Sequence, residues 1–200
     1  MSNAHLAYRP LRGGLYIFAE TVDEEGTLGM VLADTASSLW LLTNHHVLST
    51  MTGPNASDSI FQPNTAAVIA TVDPTRCNKE LDCAAARLTE PAVAEVYGLG
   101  KPRQPVAPAV GMRVVKFGAA TGLTEGIITK IQYPRIEIGI PNGFEPTYEL
   151  SSSGDSGSVW LELATRSVVA LHIGGSNSGQ RIAYATVMAE VLSALSLAVP

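Results

Sequence analysis

Short apolar runs separated by turn residues fill most of this chain, and they restrict it to an all-β fold. Most runs are about four to eight residues long, which suits strands better than helices. The 18 Gly and 12 Pro of the 200 residues supply the turns between them. The predicted strands cover 15–19, 27–34, 39–43, 59–62, 66–72 and 82–88, and then 112–117, 126–133, 136–140, 147–150, 159–163, 168–173 and 181–185.

The strands fall into two groups of about six, which predicts two antiparallel β-barrels of six strands each. Four prolines and little periodicity in 91–108 favour a linker between a first barrel over 5–90 and a second over 109–200. Val187, Val191 and Leu195 share one face of a predicted C-terminal helix over 187–198. Residues 1–4 look like an expression scar.

Charge and apolar length exclude several classes of partner. The net charge of -5 and the absence of a Lys/Arg cluster argue against nucleic acid. No apolar run approaches the roughly 20 residues that span a bilayer, so no membrane partner is expected. The N-terminus lacks the features of a signal peptide, which favours the cytoplasm; a signal already removed stays an alternative. Cys77 and Cys83 are expected as thiols, with a short-loop disulfide as the alternative, and they lack the Cys/His companions of a zinc site.

A tight polar loop precedes the strand predicted at 159–163. In this loop, Gly154 and Gly157 flank Ser156 without covering its hydroxyl. The amides of Gly154 and Ser156 can converge on one point, as an oxyanion hole requires. A Gly/Ser hairpin without chemistry is the alternative.

A serine nucleophile needs a base, and an imidazole base needs a carboxylate on its other nitrogen. The candidate bases are His45, His46 and His172; the first two are neighbours, so at most one of them can serve. Asp82 opens a small apolar strand and suits the carboxylate role. Asp73 is the rival, although the following proline favours a turn there.

Three segments resemble the signature segments of chymotrypsin-like (trypsin-like) serine proteases, in the same order. They are Leu42-Thr43-Asn44-His45-His46-Val47-Leu48, Asp82-Cys83-Ala84-Ala85 and Gly154-Asp155-Ser156-Gly157-Ser158. The resemblance implies the two-barrel fold and a catalytic triad of His46, Asp82 and Ser156. It also implies an oxyanion hole at Gly154 and Ser156, and neither metal nor organic cofactor.

Departures from the family pattern indicate its disulfide-free bacterial and viral branches. No disulfide-forming cysteine follows His46, and no proline follows the serine loop. The segment Lys116-x-Gly118-x-x-Thr121-Gly122-x-Thr124-x-Gly126 is similar to a group of poorly characterised bacterial trypsin-like domains, and it identifies no substrate.

The strand at 168–175 is similar to the pocket strand of glutamyl endopeptidases and of viral chymotrypsin-like cysteine proteases. That resemblance assigns substrate binding to His172, Gly174 and Gly175, with Ser151 as a second donor, and a preference for Glu or Gln before the scissile bond. If His172 titrates, the preference for Glu should grow as pH falls. A core histidine satisfied by a neighbour is the alternative. The position of a trypsin-type acid falls near Leu150, with Glu149 adjacent, so Arg/Lys specificity is not expected.

The sequence therefore predicts a serine endopeptidase that acts on peptide or protein substrates through an acyl-enzyme. The alternative is a protease-fold binding or scaffold module with little or no turnover. Control by a regulatory partner or a further domain is also expected, because an unregulated cytosolic protease would be harmful.

Overall fold

The computed structural model describes residues 6–20, 22, 25–49, 53–54, 58–63, 67–176 and 181–200. The predicted scar at 1–4 and the predicted start of a strand at Ala66 lie outside these residues. The first half contains β1 (Leu11–Gly13), β2 (Leu15–Ala19), β3 (Glu25–Leu28), β4 (Met30–Ala33), β5 (Leu39–Thr43), α1 (His45–Leu48), β6 (Ser59–Phe61), β7 (Val68–Asn78), β8 (Cys83–Leu88) and β9 (Ala92–Val96). The second half contains β10 (Arg113–Gly118), β11 (Gly122–Gln132), β12 (Arg135–Gly139), β13 (Val159–Glu162), β14 (Val168–Gly175), β15 (Ile182–Val187) and α2 (Met188–Leu195).

The first half folds into a nearly closed barrel with strand order β3-β2-β6-β7-β8-β5-β4. Its two outer members, β3 and β4, are consecutive segments interrupted at Gly29, whose amide donates to Leu42 O at 2.7 Å. One bent segment, predicted as a single strand, therefore pairs with β2 at one end and with β5 at the other. The interior is filled by aliphatic side chains such as Leu15, Ile17 and Leu41.

The second half is a closed barrel with strand order β10-β11-β12-β15-β14-β13. Its interior packs around Trp160, with Ile138 and Val169 among its neighbours in the cluster. A third apolar cluster joins Leu42 of the first barrel to Leu171 of the second and to the buried face of α2. The predicted two-barrel, all-β architecture with a C-terminal helix is confirmed, and the two barrels meet across a continuous apolar core.

Several element boundaries differ from the prediction. Strand β9 lies inside the segment predicted as a linker, and it pairs in parallel with β1. Neither of these two strands was predicted. Strand β7 continues beyond the predicted end at Val72, because residues 73–76 form a bulge opposite Ala85. The predicted strand at 147–150 is a turn and loop, and the helix predicted to reach 198 ends at Leu195.

The two cysteines are free thiols. Cys77 packs against the cluster inside the first barrel, whereas Cys83 belongs to the cluster between the barrels. They therefore face opposite sides of the β7–β8 ribbon and do not pair. Within the ranges that the structure describes, no helix is long and apolar enough to cross a bilayer.

Candidate active site

His46 and Asp82 form a close pair at the edge of the first barrel. His46 lies on α1, directly after β5, and Asp82 ends the turn between β7 and β8. The Nδ1 atom of His46 is 2.7 Å from Asp82 Oδ2, and the His46 amide donates to Asp82 Oδ1 at 3.1 Å. Because a carboxylate accepts the Nδ1 proton, Nε2 is the nitrogen with a lone pair. The arrangement suits a base whose tautomer is fixed by the acid.

The rival residues have other surroundings. His45 is buried beside His46, and burial lowers the pKa of its imidazole. Asp73 lies in the β7 bulge, where its carboxylate accepts from the amide and the hydroxyl of Thr75 at 2.9 and 2.7 Å. Asp82, and not Asp73, is thus the carboxylate that the fold brings to His46.

Ser156 lies on a loop of the second barrel that is held by β3 of the first. The amide of Thr27 donates to Ser156 O, and its hydroxyl donates to Gly154 O, both at 2.8 Å. Gly157 has a φ of +91°, and a Cβ there would collide with the Thr43 hydroxyl and with Thr27 O. Only glycine fits this approach, so the loop docks closely on the first barrel.

The Ser156 loop and the helix that carries His46 face each other across Gly26. A Cβ at Gly26 would meet Val47 at 2.6 Å and Ser156 O at 3.2 Å. Val47 is the direct neighbour of His46. The fold therefore brings these two predicted catalytic residues to the same junction.

Two amides of the loop 154–158 have no acceptor among the described residues. Those of Asp155, Gly157 and Ser158 donate to the carbonyls of Ser152, His172 and Asp155, at 3.1, 3.0 and 3.0 Å. The amides left over belong to Gly154 and Ser156. They are the two that the sequence predicts for an oxyanion hole.

Sequence reasoning assigned no role to Lys116, which lies beneath this loop. Its Nζ is 2.6 Å from Asp155 Oδ2, and both side chains are fully buried. Asp155 also accepts from the Thr121 hydroxyl, from the amides of Ala120 and Thr121, and from the amide of Ser152. Burial alone would raise the pKa of Asp155, but the Lys116 charge and these donors lower it. The residue before Ser156 is therefore held as a buried carboxylate.

The hairpin β10–β11 is shaped around this carboxylate. Gly118 packs against it so closely that a Cβ would overlap the Asp155 carboxylate group. The lysine, glycine and threonine of the Lys116-x-Gly118-x-x-Thr121 motif therefore all contact one acid. A lysine within an apolar strand was the only sequence signal that Lys116 pairs with a buried acid. The acid, Asp155, lies 39 positions away in the sequence.

A pocket of about 320 Å³ lies beside Ser156. The described residues that line it are uncharged: Ser151, Ser152, Ser153, Ser156, Gly174, Gly175 and Ser176. Three of the four predicted substrate-binding residues, Ser151, Gly174 and Gly175, are among them. The acidic Glu149 is not part of this lining. Within the described chain, the Ser176 hydroxyl has no hydrogen-bond partner. The described lining therefore contains no acid that could pair with an Arg or Lys side chain.

His172, the fourth predicted substrate-binding residue, is not among the described lining residues and is only 1% exposed. Trp160 Nε1 donates to His172 Nδ1 at 3.4 Å, which places the ring proton on Nε2. Burial, with the nearby charges of Lys116 and His46, lowers the pKa of His172 to about 3. The imidazole is therefore neutral near pH 7, and the expected growth of Glu preference at lower pH loses its basis.

Within the described ranges, no group of three or more His, Cys, Asp or Glu side chains could hold a metal ion.

The sequence matches no model of a known protein family and no curated protein. The fold, however, resembles many solved structures. A Nocardiopsis protease has 17% identity and a TM-score of 0.66, with 94% of this chain and 97% of that chain covered. Thermobifida fusca protease A has 19% identity and a TM-score of 0.67, with 94% and 96% covered. A glutamic acid specific serine protease has 20% identity and a TM-score of 0.66, with 95% and 100% covered. The chain thus has the chymotrypsin-like fold of bacterial serine proteases.

Proposed function

We propose that this chain is a serine endopeptidase that works through an acyl-enzyme. The proposal rests above all on the His46–Asp82 pair at 2.7 Å, with Ser156 on the facing barrel at the same junction. Asp82 holds the tautomer in which His46 Nε2 takes up a proton. A serine hydroxyl becomes a nucleophile when such a base accepts its proton during attack.

In the proposed reaction, Ser156 Oγ attacks the carbonyl carbon of the scissile bond while its proton passes to His46 Nε2. The amides of Gly154 and Ser156, which have no acceptor among the described residues, donate to the resulting oxyanion. When the carbon–nitrogen bond breaks, His46 gives its proton to the leaving amine. Water then attacks the acyl-enzyme by the same steps, which releases the acid and restores Ser156.

The end of β14 is suited to an extended substrate. On one side, Gly174 and Gly175 pair with Tyr184 and Ala183 of β15. Pairing with β13 stops at Leu171, so the other side of this segment has no strand partner among the described residues. A peptide can add there as a further strand, with its side chain entering the pocket beside Ser156.

We further propose a preference for Gln or Glu before the scissile bond. The support is the uncharged, hydroxyl-rich lining formed by the described residues, among which the Ser176 hydroxyl has no hydrogen-bond partner. One of the similar solved structures is described as a glutamic acid specific serine protease that uses a histidine triad in substrate binding. Because His172 stays neutral, we expect the ratio of Gln to Glu cleavage to lack a titration of this residue.

Hydrolysis of a peptide library tests both parts of this proposal. Wild type should cleave peptides with Gln or Glu before the scissile bond, and Ser156→Ala should lower the rate by roughly 10⁶-fold. Ser153→Ala, which changes another serine of the same pocket, is the matched control and should retain turnover. Loss of less than tenfold in Ser156→Ala would remove the nucleophile assignment. A profile that peaks at Arg, Lys or large aromatic residues would refute the pocket assignment alone.

We also propose a cytoplasmic location and control by a partner protein or a further domain. The two thiols, which face opposite sides of the β7–β8 ribbon, are compatible with a reducing compartment. Cell fractionation with an antibody against this chain would test the location. A secreted protein would contradict it.

A further inference from the structure

We infer that Arg135 and Thr186, both on the second barrel, position the Asp82 carboxylate for its bond to His46. The two residues are direct partners across β12 and β15. Asp82 belongs to the first barrel, so this contact crosses the junction between the barrels. The kinetic part of the inference rests on the proposed endopeptidase function, whereas the structural part does not.

The contacts converge on the two peptide carbonyls that precede Asp82. Arg135 donates from Nη1 to Leu81 O at 3.0 Å and from Nη2 to Glu80 O at 2.5 Å. The Thr186 hydroxyl donates to the same Leu81 oxygen at 2.9 Å, and it accepts a hydrogen bond from Arg135 Nη1. Thr186 is fully buried. The guanidinium group thus donates to two successive carbonyls at once, which the single ammonium group of a lysine could not do equally well.

Fixing these carbonyls fixes the direction of the Asp82 side chain. A residue's φ is set by the peptide plane before it, and its ψ by the plane after it. The plane before Asp82 carries Leu81 O, which Arg135 and Thr186 hold. The plane after it carries Asp82 O, which accepts from Asn44 Nδ2 at 2.7 Å. With both planes fixed, the Cα–Cβ bond of Asp82 has one direction.

The backbone of Asp82 needs this support. Its φ is +51°, in the left-handed region that residues other than glycine seldom adopt. Without the bonds to the preceding carbonyls, this peptide plane would be held only by the 3.2 Å bond from the Asp82 amide to Lys79 O, and it could turn toward negative φ. The carboxylate would then leave the position 2.7 Å from His46 Nδ1. Among the described residues, the side chains of Arg135 and Thr186 bond to the two carbonyls before Asp82 and to each other, and not to the His46 ring or Ser156, so they act through Asp82.

The test compares two matched pairs of variants. Thr186→Val removes the hydroxyl and keeps the shape, while Thr186→Ser keeps the hydroxyl. Arg135→Met removes the guanidinium. Arg76→Met is its control, because Arg76 also spans the barrels to donate to backbone carbonyls, those of Leu195 and Ser196, but at the end of α2.

The first readout is independent of turnover: the far-downfield proton NMR signal of the His46 Nδ1–H bonded to Asp82. Its assignment is checked by its loss in Asp82→Ala. We expect the signal to broaden or disappear in Thr186→Val and Arg135→Met, and to persist in Thr186→Ser and Arg76→Met, all compared well below their unfolding temperatures. An unchanged signal in both Thr186→Val and Arg135→Met would overturn the inference. A wild type that shows the signal without any turnover would remove the proposed function and leave the positioning role standing.

The second readout is kcat/KM in single and double variants. We expect Thr186→Val and Arg135→Met each to lower kcat/KM by about tenfold to a hundredfold, mainly through kcat, as small displacements of catalytic groups do. Added to Asp82→Asn, the same changes should lower the rate less than threefold further. An equal loss in both backgrounds would show that Arg135 and Thr186 act independently of Asp82, which contradicts the inference.

Discussion

Removing the Lys116 amine should destabilise the fold and disturb the loop that carries Ser156. Lys116 Nζ and Asp155 Oδ2 are 2.6 Å apart with both side chains at 0% exposure. In Lys116→Met the carboxylate keeps its hydroxyl and amide donors but loses the only cation bonded to it among the described residues. Breaking a buried pair in this way costs about 3–5 kcal/mol, because one charge stays buried without its partner.

That free energy corresponds to a Tm lower by about 6–20 °C for a domain of this size. Calorimetry of wild type and Lys116→Met measures it. Lys130→Met is the matched control, since the Lys130–Glu137 pair is at 3.1 Å and its lysine is 51% exposed. The control should lose no more than about 1 kcal/mol.

A second variant separates the charge from the packing. In Lys116→Met/Asp155→Asn no uncompensated charge remains, so at least half of the lost unfolding free energy should return. The rate of covalent labelling at Ser156 should fall about tenfold to a hundredfold in Lys116→Met, because the loop amides lose their fixed geometry. A loss below about 1 kcal/mol in Lys116→Met, or no recovery in the double variant, would refute this reasoning.

Three further predictions concern the titratable residues of the site. His46→Ala should abolish turnover nearly as completely as loss of Ser156, whereas His45→Ala should act mainly on stability; peptide hydrolysis distinguishes them, and the reverse result would shift the assignment by one residue. Asp82→Asn should lower kcat by roughly 10⁴ through the wrong imidazole tautomer, with Asp73→Asn as an inert control. The folded pKa of His172, about 3, lies below its ordinary 6.5, so the unfolded chain binds the proton first and stability is lost as pH falls. Urea titrations should show about 2 kcal/mol lost between pH 6.5 and 5 in wild type beyond any loss in His172→Val, and equal slopes would contradict this.

The sequence was sufficient to predict the two barrels because the signals of their strands are local. Alternation of apolar residues identifies each strand of a half-buried sheet. The strand ends alone left His45 and Asp73 open as alternatives, and the resemblance to chymotrypsin-like proteases selected His46 and Asp82. Gly154 and Gly157 also gave a local signal for a tight loop around Ser156, and both have a positive φ in the structure.

The predicted and observed elements differ where the partner of a segment is distant in the sequence. Strand β9 pairs with β1, about eighty positions away, and no local pattern marks a parallel partner at that distance. Pro74 suggested a turn, yet β7 continues because the proline lies in a bulge where no ladder bond is needed. The segment 147–150 is anchored by the Tyr148 hydroxyl, which donates to Glu125 O at 3.1 Å, and not by a strand ladder.

Distance in the sequence between interacting residues also explains why the roles of Lys116, Arg135 and Thr186 were not predicted. Lys116 lies within a predicted strand, whereas Arg135 and Thr186 lie directly beside one, and no neighbouring residue in the sequence identifies the acceptor of any of them. Their roles follow only from coordinates, because Asp155 and the carbonyl of Leu81 come from other segments. Residues that support a site across a barrel junction are therefore harder to predict than those that form it.

Reaction with a fluorophosphonate probe, followed by mass spectrometry of the digested protein, tests the central claim most directly. The probe forms a covalent bond only with a serine that an adjacent base activates. We predict one adduct on Ser156, which is absent in Ser156→Ala and in His46→Ala and retained in Ser153→Ala. No adduct on the folded wild type, or an adduct on another serine, would contradict the account and favour a binding module that has the fold of a protease without its chemistry.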